Sequence, residues 1–262
     1  MKPRRTEAAR AGVFLTDAPE SLDLDAGLTL LSWNVHKGRH PRLDAELGRL
    51  CEVHRPDLVA LQESRETIEL PSGYAGHVGT SFRRGVLGAR EGVMTLSRVA
   101  PRAASGVRSS ERELFVATPK AALITLYGTL DGRVVCLLNV HGLNFDPSGG
   151  QLRRQLDDLA REVEKLDGPL IVAGDLNAWS AAREKAVREL GGRLGLDEVR
   201  VGFPGGTKGR VPGKRFARAI GVDPKLHLDR VLVRGLRART AHWVEDCDAS
   251  DHVPLIVQLV RH

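Results

Sequence analysis

The stretch Leu170-Ile171-Val172-Ala173-Gly174-Asp175-Leu176-Asn177 runs from an aliphatic segment into a carboxylate and a carboxamide two positions apart. On an extended chain that spacing sends both side chains to one side. Taken alone, the pair is explained by a strand end with an Asx turn. The same pattern recurs along the chain. Asn34 follows the apolar run from Leu28, and Glu63 follows Leu58-Val59-Ala60-Leu61-Gln62. His141 ends Val134–Val140, with Asn144 three residues on; Asp229 stands near the start of Leu228–Val233, and Asp251-His252 precede the apolar run Val253–Val260. Polar side chains that terminate buried strands converge on one rim of a sheet, so jointly they weaken the turn reading. Oxygen donors such as Glu63 and Asp251 suit a hard divalent cation. Imidazoles together with carboxylates fit phosphoester cleavage, where a metal and a cation share the charge of the transition state. Asp251 and His252 are chain neighbours and poorly placed to bond each other, so His252 is expected to take Asp229 as its partner.

The elements that position these groups follow from hydrophobic periodicity. Continuous apolar runs at 28–35, 58–63, 134–141, 170–174 and 228–233 read as strands buried on both faces. Leu43, Leu47, Leu50 and Cys51 share a helical face that begins near Pro41. Leu152, Leu156, Leu159, Val163 and Leu166 define a second helix from about Gln151. Ser180 is expected to cap a third, which stops at Gly191-Gly192. Asp131-Gly132 signals a hairpin. Residues 64–92, rich in Gly and Arg, read as loop, and the first 26 residues as a frayed or loosely docked arm. Residues 27–262 then form one domain, since no internal linker suits a boundary.

Composition narrows the class. With 42% hydrophobic and 27% charged residues the chain is ordinary globular protein. Its three cysteines, Cys51, Cys136 and Cys247, are widely spaced and form no CxxC pair, so neither a disulfide scaffold nor a zinc ribbon follows. No stretch approaches the length of a membrane span and the N-terminus develops no apolar leader core, which makes the cytoplasm the default compartment. The formal charge of +6 favours a polyanionic partner. Lys208, Arg210, Lys214 and Arg215 cluster ahead of Asp229, either to neutralise flanking phosphates or simply as a solvated loop. No aromatic interleaving accompanies them, so a base-stacking platform is unsupported.

The ordered set Ser32-Trp33-Asn34-Val35, Leu61-Gln62-Glu63, Asn139-Val140-His141, Gly174-Asp175-Leu176-Asn177, Leu228-Asp229-Arg230-Val231 and Ser250-Asp251-His252 resembles the motifs of the endonuclease/exonuclease/phosphatase superfamily. The match runs from about residue 28 to 260, and its details are most similar to the bacterial YafD-like branch. The resemblance implies an α/β four-layer αββα sandwich, two packed mixed sheets flanked by helices, with the site across their top edge. It implies Mg²⁺, with Mn²⁺ as a substitute, on Glu63 with Asn34 and Asp251 nearby. Asp175 resembles the group that orients or deprotonates the attacking water. Asn177, His141 and Asn144 resemble donors to phosphate oxygens. His252, its tautomer fixed by Asp229, resembles the group that stabilises phosphate charge or protonates the leaving oxygen. His36 departs from the pattern: AP endonucleases often carry an acidic residue there, which puts a second cation in doubt. His141 replaces their tyrosine. The expected activity is hydrolysis of nucleic acid; the competing expectations are a phosphatase or phospholipase acting on inositol phosphates, anionic lipid headgroups or another small phosphoester, and a non-catalytic binding module. No protein partner is inferable.

Overall fold

A computed structural model describes residues 4–12, 19–83, 88–113, 118–202 and 228–262. Among these, two mixed sheets of seven strands pack face to face with three α-helices outside. The first sheet has the order β1 (Arg4–Glu7), β7 (Ala103–Arg108), β8 (Ala121–Gly128), β9 (Val134–His141), β10 (Leu170–Asp175), β12 (Asp229–Arg234), β11 (Asp197–Glu198). The second has β13 (Leu236–Trp243), β14 (Leu255–Arg261), β3 (Leu28–Asn34), β4 (Leu58–Arg65), β6 (Arg90–Ser97), β5 (Ala75–Arg83), β2 (Ala9–Ala11).

Each sheet has one parallel pair at its heart. β3 and β4 are joined through helix α1 (Leu43–His54), and β9 and β10 through α2 (Gly150–Val163). A parallel pair needs such a crossover, and the crossover helix covers the outer face of its sheet. Alternation then sorts the side chains into layers. In β10, Leu170 and Val172 join the outer core with α2 and with α3 (Ala181–Leu194), while Ile171 and Ala173 face the opposite sheet. In β3, Leu31 and Trp33 pack with α1, and Leu28 and Leu30 face inward. Asn34, Gln62, His141 and Asp175 continue the inward-facing registers of their strands. The site residues therefore begin where the inter-sheet core ends.

Several expectations need correction. Ala75–Arg83 is a strand, not loop: its glycines mark close backbone approach, since a Cβ on Gly76 would sit 1.9 Å from the Thr95 carbonyl oxygen. Helix α3 runs through Gly191-Gly192 to Leu194 and ends at Gly195, the residue with φ 63°. The N-terminal segment contributes β1 and β2, each pairing along one side only, with β7 and β5 respectively. The Asp131-Gly132 turn joins β8 to β9 as expected, with Gly132 at φ 81°.

Candidate active site

The inward-facing strand ends meet at one rim. Asp175 closes β10 beside His141 of β9 in parallel register and Asp229 of β12 in antiparallel register. Its Oδ2 accepts from Asn34 Nδ2 across the sheet interface at 3.0 Å and lies 3.9 Å from both His141 Nε2 and His252 Nε2. His252 Nδ1 lies 2.7 Å from Asp229 Oδ2. The loop carrying His252 is fixed by Trp33 Nε1, which donates to the His252 carbonyl at 3.0 Å, and by Ser250 Oγ, which donates to the Asn34 carbonyl at 2.6 Å.

Glu63 reaches the rim by a different route. Simple alternation after Leu61 would turn it toward α1. The β4–β6 register shifts between Leu61 and Ser64, and Glu63 takes φ 50°, the signature of a bulge that re-aims a side chain. Its Oε1 is thereby brought to 3.7 Å from His141 Nε2. Asn177 lies outside β10, at φ 49°. It does not project beside Asp175 as strand alternation implies. Its backbone N–H donates to Asp175 Oδ1 at 2.9 Å, an Asx turn, and its Nδ2 donates to the Gly142 carbonyl at 2.9 Å. Turn and site coexist in one carboxylate.

Burial sets the charges. Desolvation pushes Asp175 up to about 6, with the His252 charge opposing it and Asp229 adding to it. Desolvation drives His141 well below the ordinary histidine value, aided by the charges of Lys120, His252 and Lys37. Desolvation acts the same way on His252, but the Asp229 carboxylate overrides it and raises the imidazole to about 10. At neutral pH the rim therefore holds a neutral imidazole, an imidazolium and an ionised carboxylate within about one side chain of each other. Asp229 Oδ1 is buried with no hydrogen-bond partner among the described residues, so its sister oxygen carries the pairing with His252.

The donors fit a hard divalent cation through few protein ligands. Glu63 is partly exposed and accepts no hydrogen bond among the described residues. Asn34 is more committed: its Oδ1 accepts from His36 N–H at 3.0 Å. Asp251 Oδ1 lies 3.0 Å from His36 Nδ1. Among the described residues no group of three His, Cys, Asp or Glu stands ready to hold a metal. Asn144 sits at the edge of the rim, its Oδ1 accepting from Trp179 Nε1 at 2.7 Å. Lys208, Arg210, Lys214 and Arg215 lie outside the described residues.

One residue absent from the sequence reading organises this edge. Arg183 is fully buried; its guanidinium donates to the carbonyls of Asn177, Leu143 and, at 2.9 Å, Asp146, and lies 5.1 Å from the Trp179 ring centroid. It ties the loop after β9 to the loop after β10. Its signal was available: Arg183 shares a helical face with Ala186, Val187 and Leu190, so a cation occupies a core position. Gln62 Nε2 donates to Asn139 Oδ1 at 2.8 Å, bridging the sheets directly below the rim.

Fold and rim together define a DNase I-like αββα sandwich with its polar site on the shared sheet edge. Residues 31–252 match the Endonuclease/Exonuclease/phosphatase family, and the chain belongs to it. A UPF0294 protein of Vibrio cholerae is 32% identical over 244 residues, covering 91% of this chain and 80% of that protein. An endonuclease/exonuclease/phosphatase from Bacteroides vulgatus superposes with TM-score 0.67 at 14% identity, covering 90% of this chain and 99% of that one. A Bacteroides thetaiotaomicron mannosyl-6-phosphatase superposes with TM-score 0.64 at 15% identity, covering 89% and 99%. No described helix is long and apolar enough to cross a membrane.

Proposed function

We propose that the chain is a Mg²⁺-dependent phosphodiesterase that cleaves nucleic acid by in-line attack of water. One observation carries the reading: Asp175 Oδ2 lies 3.9 Å from both His141 Nε2 and His252 Nε2, and Glu63 Oε1 lies 3.7 Å from His141 Nε2, at one rim. Glu63 would hold the cation, with Asn34 and Asp251 beside it; a bound Mg²⁺ supplies charge neutralisation at the phosphate. Asp175, buried between two imidazoles, orients the attacking water and takes its proton. Asn34 Nδ2 and the Asn177 N–H hold that carboxylate in place. His252, protonated and fixed through Nδ1, directs Nε2 at the phosphate, where it offers charge and a proton to the leaving oxygen. His141 and Asn144 would donate to non-bridging oxygens. Asn177 acts through Asp175, since its amide is committed to Gly142. The net charge of +6 supports a polyanionic substrate, with Lys208, Arg210, Lys214 and Arg215 as further phosphate contacts.

The test is one panel under one buffer: plasmid DNA, single-stranded RNA, inositol phosphates, mannose 6-phosphate and sphingomyelin, each with and without Mg²⁺ or Mn²⁺. Metal-dependent cleavage of DNA or RNA is expected. Turnover confined to lipid or sugar phosphates would move the chain to the phosphatase reading.

A further inference from the structure

The segment after β3 does something costly. His36, Lys37 and Gly38 have φ of 44°, 60° and 57°, three successive residues in the left-handed region, two of them with side chains. Runs of this kind are disfavoured for L-residues and persist only where the surroundings hold them. Here they are held. Gly38 N–H donates to the Val35 carbonyl at 2.9 Å, Arg65 Nη2 donates to the Gly38 carbonyl, and His36 bonds Asn34 and Asp251. Lys37 itself makes no hydrogen bond or ion pair among the described residues. The segment thus fixes a backbone in order to place a cation that the protein does not use to hold itself together.

Its place is next to the reaction. Lys37 stands three residues from Asn34, whose Nδ2 donates to Asp175 Oδ2 at 3.0 Å, and next to His36, whose Nδ1 lies 3.0 Å from Asp251 Oδ1. The same segment offers no acidic ligand for a second cation: the residue there is His36, whose Nδ1 lies 3.0 Å from Asp251 Oδ1. Phosphoryl transfer needs positive charge on more than one side of the reacting group, and a lysine ammonium binds phosphate as a compact point charge. We infer that Lys37 contacts a non-bridging oxygen of the scissile phosphate and supplies, from the chain, charge that a second cation would otherwise bring. Lys37 transfers no proton; water adds to phosphorus, the ester P–O bond breaks, and the leaving oxygen takes its proton from His252. This inference rests on the phosphoester-cleavage reading of the rim.

The experiment separates the two. Lys37→Asn removes the charge with a residue that tolerates left-handed backbone, Lys37→Arg keeps it, and Lys37→Gly relieves the backbone. Each is titrated calorimetrically with inorganic phosphate, with and without Mg²⁺, assayed on bis(p-nitrophenyl) phosphate, and melted. Lys37→Asn is expected to weaken phosphate binding about 10- to 100-fold. It is also expected to lower kcat/KM by on the order of 100-fold, with Lys37→Arg recovering part of both. Lys37→Gly is expected to melt no lower than wild type and yet be as impaired as Lys37→Asn, a combination that a structural role does not produce. Phosphate affinity and kcat/KM of Lys37→Asn within threefold of wild type would overturn the inference while leaving the hydrolase reading standing. Lys37-dependent phosphate binding without any metal-dependent turnover would uphold the contact and sink the hydrolase reading. A wild-type protein that neither binds phosphate nor turns over would sink both.

Discussion

At the rim of the first sheet the side chains of Asp175 and Asn177 are buried and hydrogen-bonded, whereas at the rim of the second those of Glu63 and Lys37 are partly exposed and make no hydrogen bond among the described residues. Asp175 accepts from Asn34 and Asn177, and Arg183 braces the loops on both sides of it. Glu63 and Lys37 are the reverse case: partly exposed, with the Glu63 carboxylate meeting only His141, at 3.7 Å, among the described residues. The difference separates two tasks. One sheet holds the group whose geometry decides the chemistry, and the other presents groups whose partners arrive with the substrate. Preorganisation costs little where the protein satisfies its own polar atoms, and strain is tolerated where a ligand will engage them.

The comparison breaks first at Asp175. If that carboxylate is the fixed chemical group, Asp175→Asn keeps the shape and loses the base. Activity should then fall about 10²–10⁴-fold. Stability should change by no more than about 1.5 kcal/mol, because one donor facing the new amide is lost while the cost of burying a charge is removed. Steady-state kinetics and denaturant titration check both. A folding defect of several kcal/mol with residual activity would make Asp175 a structural residue.

Arg183 is the next largest effect. Removing a buried guanidinium strands three carbonyls and opens a void beneath Trp179, which should cost about 3–4 kcal/mol. No comparable loss is expected on the second sheet for Glu63→Gln. Urea midpoints of the two variants sharpen or erase the asymmetry.

The His252–Asp229 pair tests whether this bracing is charged. His252 is lifted from the ordinary value to about 10 in the fold, against desolvation, by the Asp229 carboxylate. A raised value means that the stabilisation is complete below about pH 6.5 and is lost as pH climbs through about 10. Asp229→Asn should therefore cost about 1.5–3 kcal/mol near pH 6, and the penalty should fade above pH 10. A pH-independent penalty would show that the pair is held as a neutral hydrogen bond.

These contrasts also explain what could be read from the sequence. The strands that end in Asn34, His141 and Asp175 are apolar on both faces, so periodicity locates them, and the site residues simply continue the inward register. Glu63 is legible as a residue but not as a geometry. Its inward aim comes from a bulge and a positive φ that no propensity for Glu suggests. Ala75–Arg83 was hidden because its glycines serve close strand approach rather than turns. Arg183 is half legible: its place on the apolar face with Ala186, Val187 and Leu190 marks it as buried, but its three carbonyl partners, distant in sequence, are not marked by any local pattern. Local signals mark elements; the contacts that orient the site are long-range and leave no local trace.

The smallest effect is the most diagnostic. Glu63 and Asn177 share nearly the same φ, 50° and 49°, one in β4 and the other just past the end of β10. Glycine removes the strain of a left-handed residue at some entropic cost in the unfolded chain. At Glu63 nothing bonded is lost, so Glu63→Gly should stabilise by about 0.5–1 kcal/mol while metal-dependent turnover collapses. At Asn177 the side chain donates to the Gly142 carbonyl, and asparagine already tolerates this region. Asn177→Gly should therefore be neutral or destabilising by about 1 kcal/mol. Opposite signs at matched backbone angles would locate the strain on the ligand-presenting side. Equal signs would mean that the two rims are built alike, and that Glu63 is held in place by contacts no different in kind from those around Asp175.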